Sequence, residues 1–380
     1  MATLKPDDPI TALPGIEAHP HARAVLAGGL PPGGEPSHAY LFHGPAGTGK
    51  RAIARAFAAA LLADGAGNPA SVAERVERGS HPDLTWVTPS GAAEMLVADI
   101  EEPVVAAAAR TPFESSRRVF VIESVDTMNE QAANRMLKTL EEPPAFVHLL
   151  LLSDRREDVM ATIASRCQQV RFDPLPQARM AEGLQLSDSE RARACAALAL
   201  GDARLAARLS TEEGGALRSA GVDLVRSALT GTTDGRPWMG LLGMARAAAA
   251  AAGEQAQEQM EGELELLPGK ERKRYEREGL EARRRGERRV RTQTLDLALR
   301  LAELWLRDML CICEGAPELI YAVDRRSELE SDAGSQKGGG ARLREGIELI
   351  GQTRLSLPLN VSEELALEAL AYRLESLLAG

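Results

Sequence analysis

The sequence predicts an α/β domain built on a five-stranded parallel sheet, followed by a small helical lid and an all-α C-terminal domain. Three observations lead there. Short apolar runs alternate with helix-forming segments up to about Phe172. A glycine-rich turn joins the first apolar run to the first strong helix. Beyond Asp173-Pro174-Leu175-Pro176 the strand signals stop, and Ala/Leu-rich helical patterns take over.

The strands follow from runs too short for helices and bounded by breakers. His38-Ala39-Tyr40-Leu41-Phe42-His43 is the first and ends in Gly44-Pro45. Asp83–Val87, Arg118–Ile122, His148–Leu152 and Gln168–Phe172 are the other four. Runs this apolar, separated by helices, suit a parallel sheet covered on both faces. Arg51–Ala63 has helix formers throughout and no breaker, and Arg155–Ala164 is expected to form a helix before the fifth strand. From about Ala178 to Arg208 two helical stretches flank the break Leu200-Gly201-Asp202. From Gly214 onward the pattern is helical throughout. The expected division is 1–173 for the sheet domain, 174–213 for the lid and 214–380 for the C-terminal helices.

Two anomalies stand out in the last part. Ala247–Ala252 is an unbroken alanine run, read as plain helix. Lys270–Arg291 (KERKRYEREGLEARRRGERRVR) is dense in arginine with interspersed glutamate, as in a salt-bridged solvated helix or a loop without fixed structure. Ser335–Gly340 is expected to be a flexible surface loop.

Composition narrows the function classes. Aromatics make up 3% of the 380 residues, which favours helices packed through small side chains over an all-β fold. The net charge of −10 argues against a surface that coats nucleic acid as a whole, though not against a local basic face. Cys167, Cys195, Cys311 and Cys313 lack zinc spacing and are read as reduced thiols, with no metal expected. No apolar run approaches the roughly 18–20 residues of a membrane span. The N-terminal stretch lacks a basic region followed by an apolar core. A cytoplasmic location with no membrane partner is the expectation.

The chemistry centres on Gly44-Pro45-Ala46-Gly47-Thr48-Gly49-Lys50, which fits G-x-x-x-x-G-K after a strand and before a helix. Such glycines let backbone N–H groups turn toward phosphate oxygens, and Lys50 would reach the terminal phosphates. The next position normally offers a hydroxyl to Mg²⁺. Here it is Arg51, which cannot ligate a cation. The strand Val119–Ile122 should end in an acidic pair but ends in Glu123-Ser124. Ser124 stands where a water-activating carboxylate belongs, and a hydroxyl without a base cannot take that proton. Two independent catalytic positions fail together. Ser165-Arg166-Cys167 lies just before the fifth strand, and spacing alone makes Arg166 an ordinary surface arginine.

Family resemblance changes that reading. The block TPFESSRRVFVIESVDTMNEQAANRMLKTLEEPP, followed by HLLLLSDRREDVMATIASRCQQVRF, resembles the clamp-loader branch of AAA+ proteins. His81-Pro82-Asp83 and the TPFE-type turn strengthen the match, while Trp305–Leu310, with Asp324-Arg325 closing the next helix, looks like a collar domain. The resemblance implies that Arg166 is an arginine finger given in trans to a neighbouring ATPase. It also implies that Ser153 is sensor 1-like and that Arg204 lies near sensor 2. The partners it implies are gamma/tau and delta subunits, a sliding clamp and primed DNA. Many members carry four zinc cysteines where this chain has Asp64–Pro69, so no zinc is expected. No cofactor is required on this reading, and weak ATP binding at the loop stays open. The alternative in the same family, an active gamma/tau-type ATPase, needs a hydroxyl after Lys50 and a catalytic glutamate, both missing. A third reading, a nucleic-acid binder working through Lys270–Arg291, is of a different class.

Overall fold

The structure, a computed structural model, describes residues 9–31, 33–90, 94–266, 269–336, 339–359 and 361–379; for a few helical residues, including Lys270, Lys273 and Arg274, only the backbone is described. The chain divides into two compact units, Met1–Leu175 and Pro176–Gly380.

In the first unit all five apolar runs form strands: β1 (Ala39–His43), β2 (Leu84–Val87), β3 (Arg118–Ile122), β4 (Val147–Ser153) and β5 (Gln168–Arg171). They build one sheet in the order β2-β3-β4-β1-β5 with every neighbouring pair parallel. Alternation along each strand sends side chains to two separate cores. Tyr40, Phe42, Val119, Val121, Leu150 and Leu152 pack with residues of the helices Pro20–Ala27, Lys50–Ala63 and Pro69–Glu77. Leu41, Phe120, Ile122, Leu149 and Leu151 pack on the other face with Ala132, Ala133 and Met136 of the helix Glu130–Glu141. Burial on both faces explains why β4 is apolar almost from end to end.

The helix expected over Arg155–Ala164 is instead two short pieces, a 3-10 turn Arg156–Asp158 and the helix Ala161–Ala164. Val159 and Met160 take extended dihedrals between them, and this break lets Val159 enter the core at 4% exposure.

The two short motifs around positions 81 and 113 are halves of one lock. The fully buried Asp83 carboxylate accepts backbone N–H groups from Phe113 (2.5 Å), Glu114 (2.9 Å) and Ser115 (2.9 Å). His81 Nδ1 accepts the Asp83 N–H at 3.2 Å, and its Nε2 lies 3.0 Å from Glu114 Oε1. The turn that feeds β3 is thereby fixed to the start of β2, just ahead of where β3 begins.

The second unit is helical. Gln177–Gly183, Ser189–Leu198 and Ala203–Ser210 come first, broken as expected at Leu200-Gly201 and also at Gln185, where φ is 52°. The helices Glu212–Thr230, Trp238–Leu266, Gly269–Cys313, Arg326–Gly334, Gly340–Ser356 and Glu363–Leu378 follow. Cys195, Leu198 and Leu209 join the same hydrophobic cluster as Leu217, Trp238 and Trp305. Asp324-Arg325 does not close a helix; it lies in the 3-10 turn Val323–Arg325 that leads into Arg326–Gly334. The reason is an anchor, for Arg218 grips Asp324 through two bonds of 2.7 and 2.8 Å. Asp308 is fully buried and accepts the N–H groups of Tyr321 and Ala322, while Trp305 Nε1 donates to Asp332.

The surface loop expected at Ser335–Gly340 is corrected at Gln336, which is buried and donates from Nε2 to Leu378 O at 2.7 Å. Lys337 and Gly338 of that stretch lie outside the described residues. Ala247–Ala252 and Lys270–Arg291 both fall within long helices, Trp238–Leu266 and Gly269–Cys313. Among the described residues, no helix is long and apolar enough to cross a membrane.

Replacing Asp83 by Asn leaves backbone donors facing an amide and is expected to cost about 2–3 kcal/mol of stability at neutral pH, measured by urea unfolding. Burial raises the Asp83 pKa, but the three backbone N–H bonds outweigh it and hold the carboxyl below its ordinary value. A depressed folded pKa means that the carboxylate's contribution is complete above the unfolded value, about 3.9, and is lost as pH falls through the lower folded value. The gap between wild type and variant should close in acid. Equal stability at neutral pH would contradict the lock.

Candidate functional site

Parallel α/β sheets place ligand sites at the carboxyl ends of their strands. Here β1 runs out at His43, and the turn Gly44–Gly49 leads into the helix Lys50–Ala63. The turn needs its glycines. Gly44, Gly47 and Gly49 have φ of 143°, 71° and 90°. A Cβ on Gly44 would lie 2.1 Å from the carbonyl oxygen of Phe172. Thr48 Oγ1 donates to Pro45 O at 2.9 Å, and His19 Nε2 sits 2.7 Å from Thr48 O. The loop is pinned from inside and from behind. Ala46, at its tip, is partly exposed.

Lys50 is buried and folded back into this loop. Its ammonium donates to the carbonyls of Gly44 and Pro45, both at 2.6 Å, and lies 2.8 Å from Asp154 Oδ1. An ammonium has three N–H donors; these three partners suffice for them, and Thr48 Oγ1 lies further off at 3.5 Å. Asp154 follows Ser153, whose buried Oγ accepts the N–H of Arg155 at 3.1 Å.

Arg51 and Glu123 are brought together. Arg51 Nε is 2.8 Å from Glu123 Oε1, and Trp86 Nε1 donates to the same oxygen at 2.5 Å. The Arg55 guanidinium sits 4.8 Å above the Trp86 ring and backs it. The two residues standing at metal-binding positions are therefore partners of each other. Ser124 has a left-handed backbone (φ 52°), and its carbonyl accepts from both N–H and Oγ1 of Thr127. These residues do not fit a magnesium–nucleotide: a guanidinium stands in the place of a hydroxyl ligand, and the acidic side chain is already paired.

His43 lines this edge. Burial lowers its pKa, and the nearby positive charges of Arg156, His21, Arg171 and Lys50 lower it further. Its imidazole is thus held toward the neutral form.

Arg166 lies elsewhere. It sits two residues before β5, at the amino end of that edge strand. Because Tyr40 pairs with Gln168, Arg166 is level with residue 38 of the neighbouring strand. The glycine loop starts six positions further on, about 20 Å along the sheet. Arg166 donates from Nε (3.0 Å) and Nη2 (2.5 Å) to Glu141 Oε1, and from Nη1 to Thr162 O at 2.8 Å. Its side chain is one-third exposed. Burial pushes the adjacent Cys167 thiol up to about 12, which makes that cysteine a packing residue and no nucleophile. Arg204 is exposed on the helix Ala203–Ser210 of the second unit.

The structure places the loop, Glu123, Ser124 and Ser153 at the carboxyl ends of β1, β3 and β4. Sequence reasoning missed Asp154, Trp86, His19 and Glu141, which hold Lys50, Glu123, Thr48 and Arg166. Asp154 alone carried a usable signal, an acid directly after the sensor-like serine. The other three meet their partners only through tertiary contacts.

Residues 32–176 match the family model described as DNA polymerase III, delta subunit. Over 145 residues the chain is 39% identical to DNA polymerase III subunit delta′ of Pseudomonas aeruginosa, covering 37% of this chain and 44% of that protein. The delta′ subunit of Bacillus subtilis is 35% identical over 145 residues, 37% of this chain and 43% of the relative. This chain resembles DNA polymerase III subunit delta′. Subunit tau of Salmonella typhimurium also matches, at 34% identity over 161 residues, 41% of this chain and 24% of tau. The match spans less than half the length of these relatives. The matched segment falls almost wholly in the sheet unit, a parallel α/β domain, and the C-terminal region is all-helical.

Lys50→Met should lower unfolding stability by about 1–3 kcal/mol in nucleotide-free buffer, because two loop carbonyls and Asp154 lose their shared donor. Denaturant unfolding with Cm compared at constant m measures this. An unchanged Cm would mean that the lysine plays no part in holding the loop.

Proposed function

We propose that the chain is a non-catalytic, delta′-type subunit of a DNA polymerase III clamp loader. It works in the cytoplasm beside gamma/tau and delta subunits to help seat a sliding clamp on primed DNA. In this reading Arg166 reaches in trans into the nucleotide site of a neighbouring ATPase subunit and stabilises transition-state charge there. The chain's own loop requires no cofactor and no zinc, and binds ATP weakly if at all. Residues 174–213 act as the lid and 214–380 as the collar through which subunits assemble.

The Arg51–Glu123 pair carries the reading. Catalysis of phosphoryl transfer from this loop would need a metal where Arg51 stands and a base where Ser124 stands. The separation of Arg166 from its own loop supports the trans role, because a finger some 20 Å away along the sheet cannot serve that loop. The resemblance to both delta′ and tau supports the clamp-loader setting.

The test is ATP turnover by an assembly reconstituted with gamma/tau, delta, clamp and primed DNA, comparing this chain with its Arg166→Ala variant. The chain alone should be silent, and the variant should slow the assembly by about tenfold or more. Assembly by size-exclusion should be unaffected. Turnover by the isolated chain would instead make it an active gamma/tau-type ATPase.

A further inference from the structure

The arginine-rich stretch belongs to a two-helix arm. Trp238–Leu266 and Gly269–Cys313 run antiparallel: Met260 packs on Gly279, Gln257 takes Arg283, and Gly253 lies against Glu287. The base of the pair sits in the unit's core through Leu242, Ala245, Leu295 and Ala298. Between Ala249 and Thr294, Gly253 is the only buried residue among those whose side chains are described. Residues 250–266 of the first helix, about 25 Å, and the longer stretch 269–293 of the second therefore extend past the core with little apolar burial. Packing does not explain this arm.

Its charges are sorted by helix. From Gly253 to Leu266 there are five glutamates and no Lys or Arg, whereas Lys270–Arg291 holds eleven basic residues against five glutamates. The facing residues Gly279, Arg283 and Glu287 define the side of the basic helix that meets the acidic one. Arg277, Arg284 and Arg288 fall on one line about 120° around the helix from that side. Arg283 bonds Gln257 and Glu287, and Arg285 lies near Glu281. Arg277, Arg284 and Arg288 have no hydrogen bond or ion pair among the described residues. Arg277 and Arg284 are exposed and Arg288 half-buried. The ion pairs described for Arg283 and Arg285 run within the basic helix and leave this row charged.

We propose that the Arg277–Arg284–Arg288 row is a docking strip for the phosphate backbone of a nucleic-acid strand, bound without regard to base sequence. The guanidinium positions rise about 10 Å and then about 6 Å along the helix, a linear array suited to successive phosphates. An acidic protein partner is the poorer fit. Protein interfaces are anchored by apolar or aromatic centres, and Leu280 is the one exposed large hydrophobic residue between Gly253 and Arg291 among the described side chains. The chain's overall charge of −10 repels nucleic acid elsewhere and confines binding to such a local strip.

Fluorescence anisotropy of a labelled oligothymidylate titrated with the full chain across a salt series tests this, with a labelled duplex run in parallel. Three phosphate contacts predict that log K falls with log salt with a slope of about −2 for the single strand. The triple variant R277Q/R284Q/R288Q should bind about tenfold or more weakly with a nearly flat salt response, while the triple Lys variant keeps the slope. Helicity by circular dichroism checks that the arm survives substitution. The proposal fails if the wild type binds neither probe at the lowest salt, or if the Gln variant binds within twofold of wild type. It also fails if polyglutamate binds the row more tightly than the oligonucleotides, which would mark an acidic-protein surface.

Discussion

The pair between Arg51 and Glu123 governs the rest of the account. Glu123 closes β3 at 13% side-chain exposure, in a position where an unpaired carboxylate would be costly. Arg51, the second residue of the helix Lys50–Ala63 after β1, supplies the balancing positive charge. Trp86 from β2 fixes the carboxylate from the other side. Lys50 and Asp154 make a second pair one step away. The carboxyl edge of the sheet is thus neutralised from within, by residues that in a working phosphate site would face the ligand. The loop keeps the backbone shape of such a site, because Gly44 must pass close to Phe172 whatever the loop does chemically.

The same sheet separates the glycine loop from Arg166 by distance. Its carboxyl edge holds the loop, and Arg166 lies at its amino edge, two residues before the outermost strand β5. An edge strand can present a side chain to another molecule without rearranging the sheet. Glu141, at the end of the helix Glu130–Glu141, and the carbonyl of Thr162 hold the guanidinium in place while leaving it one-third exposed. The guanidinium is thereby held in one orientation at the sheet's edge.

Much of this was legible in the sequence for a simple reason. A strand buried on both faces must be apolar along its whole length, so β1, β3 and β4 announce themselves, whereas the edge strand β5 buries only Val170; the glycine loop is fixed by backbone need. The lock between Asp83 and the turn at Phe113 explains why two short motifs thirty residues apart are both distinctive: each is half of one hydrogen-bonded unit. What escaped depends on partners distant in sequence. Arg155–Ala164 has helical composition, yet the core's demand for Val159 breaks it. Gln336 reads as loop, yet its amide is buried against Leu378 O. Asp324 reads as a helix end, yet Arg218 draws it into a turn. The arginine-rich stretch reads as a salt-bridged helix or a loop, and only the folded helix shows which of its arginines pair with its own glutamates.

Calorimetric titration of ATP into the purified chain, once with Mg²⁺ and once with a chelator, tests the central claim most directly. If Arg51 and Glu123 have closed the metal position, the two titrations will coincide, whether they show weak heat or none. ATP affinity that rises about tenfold or more when Mg²⁺ is present, equivalent to some 1.4 kcal/mol, would contradict the account.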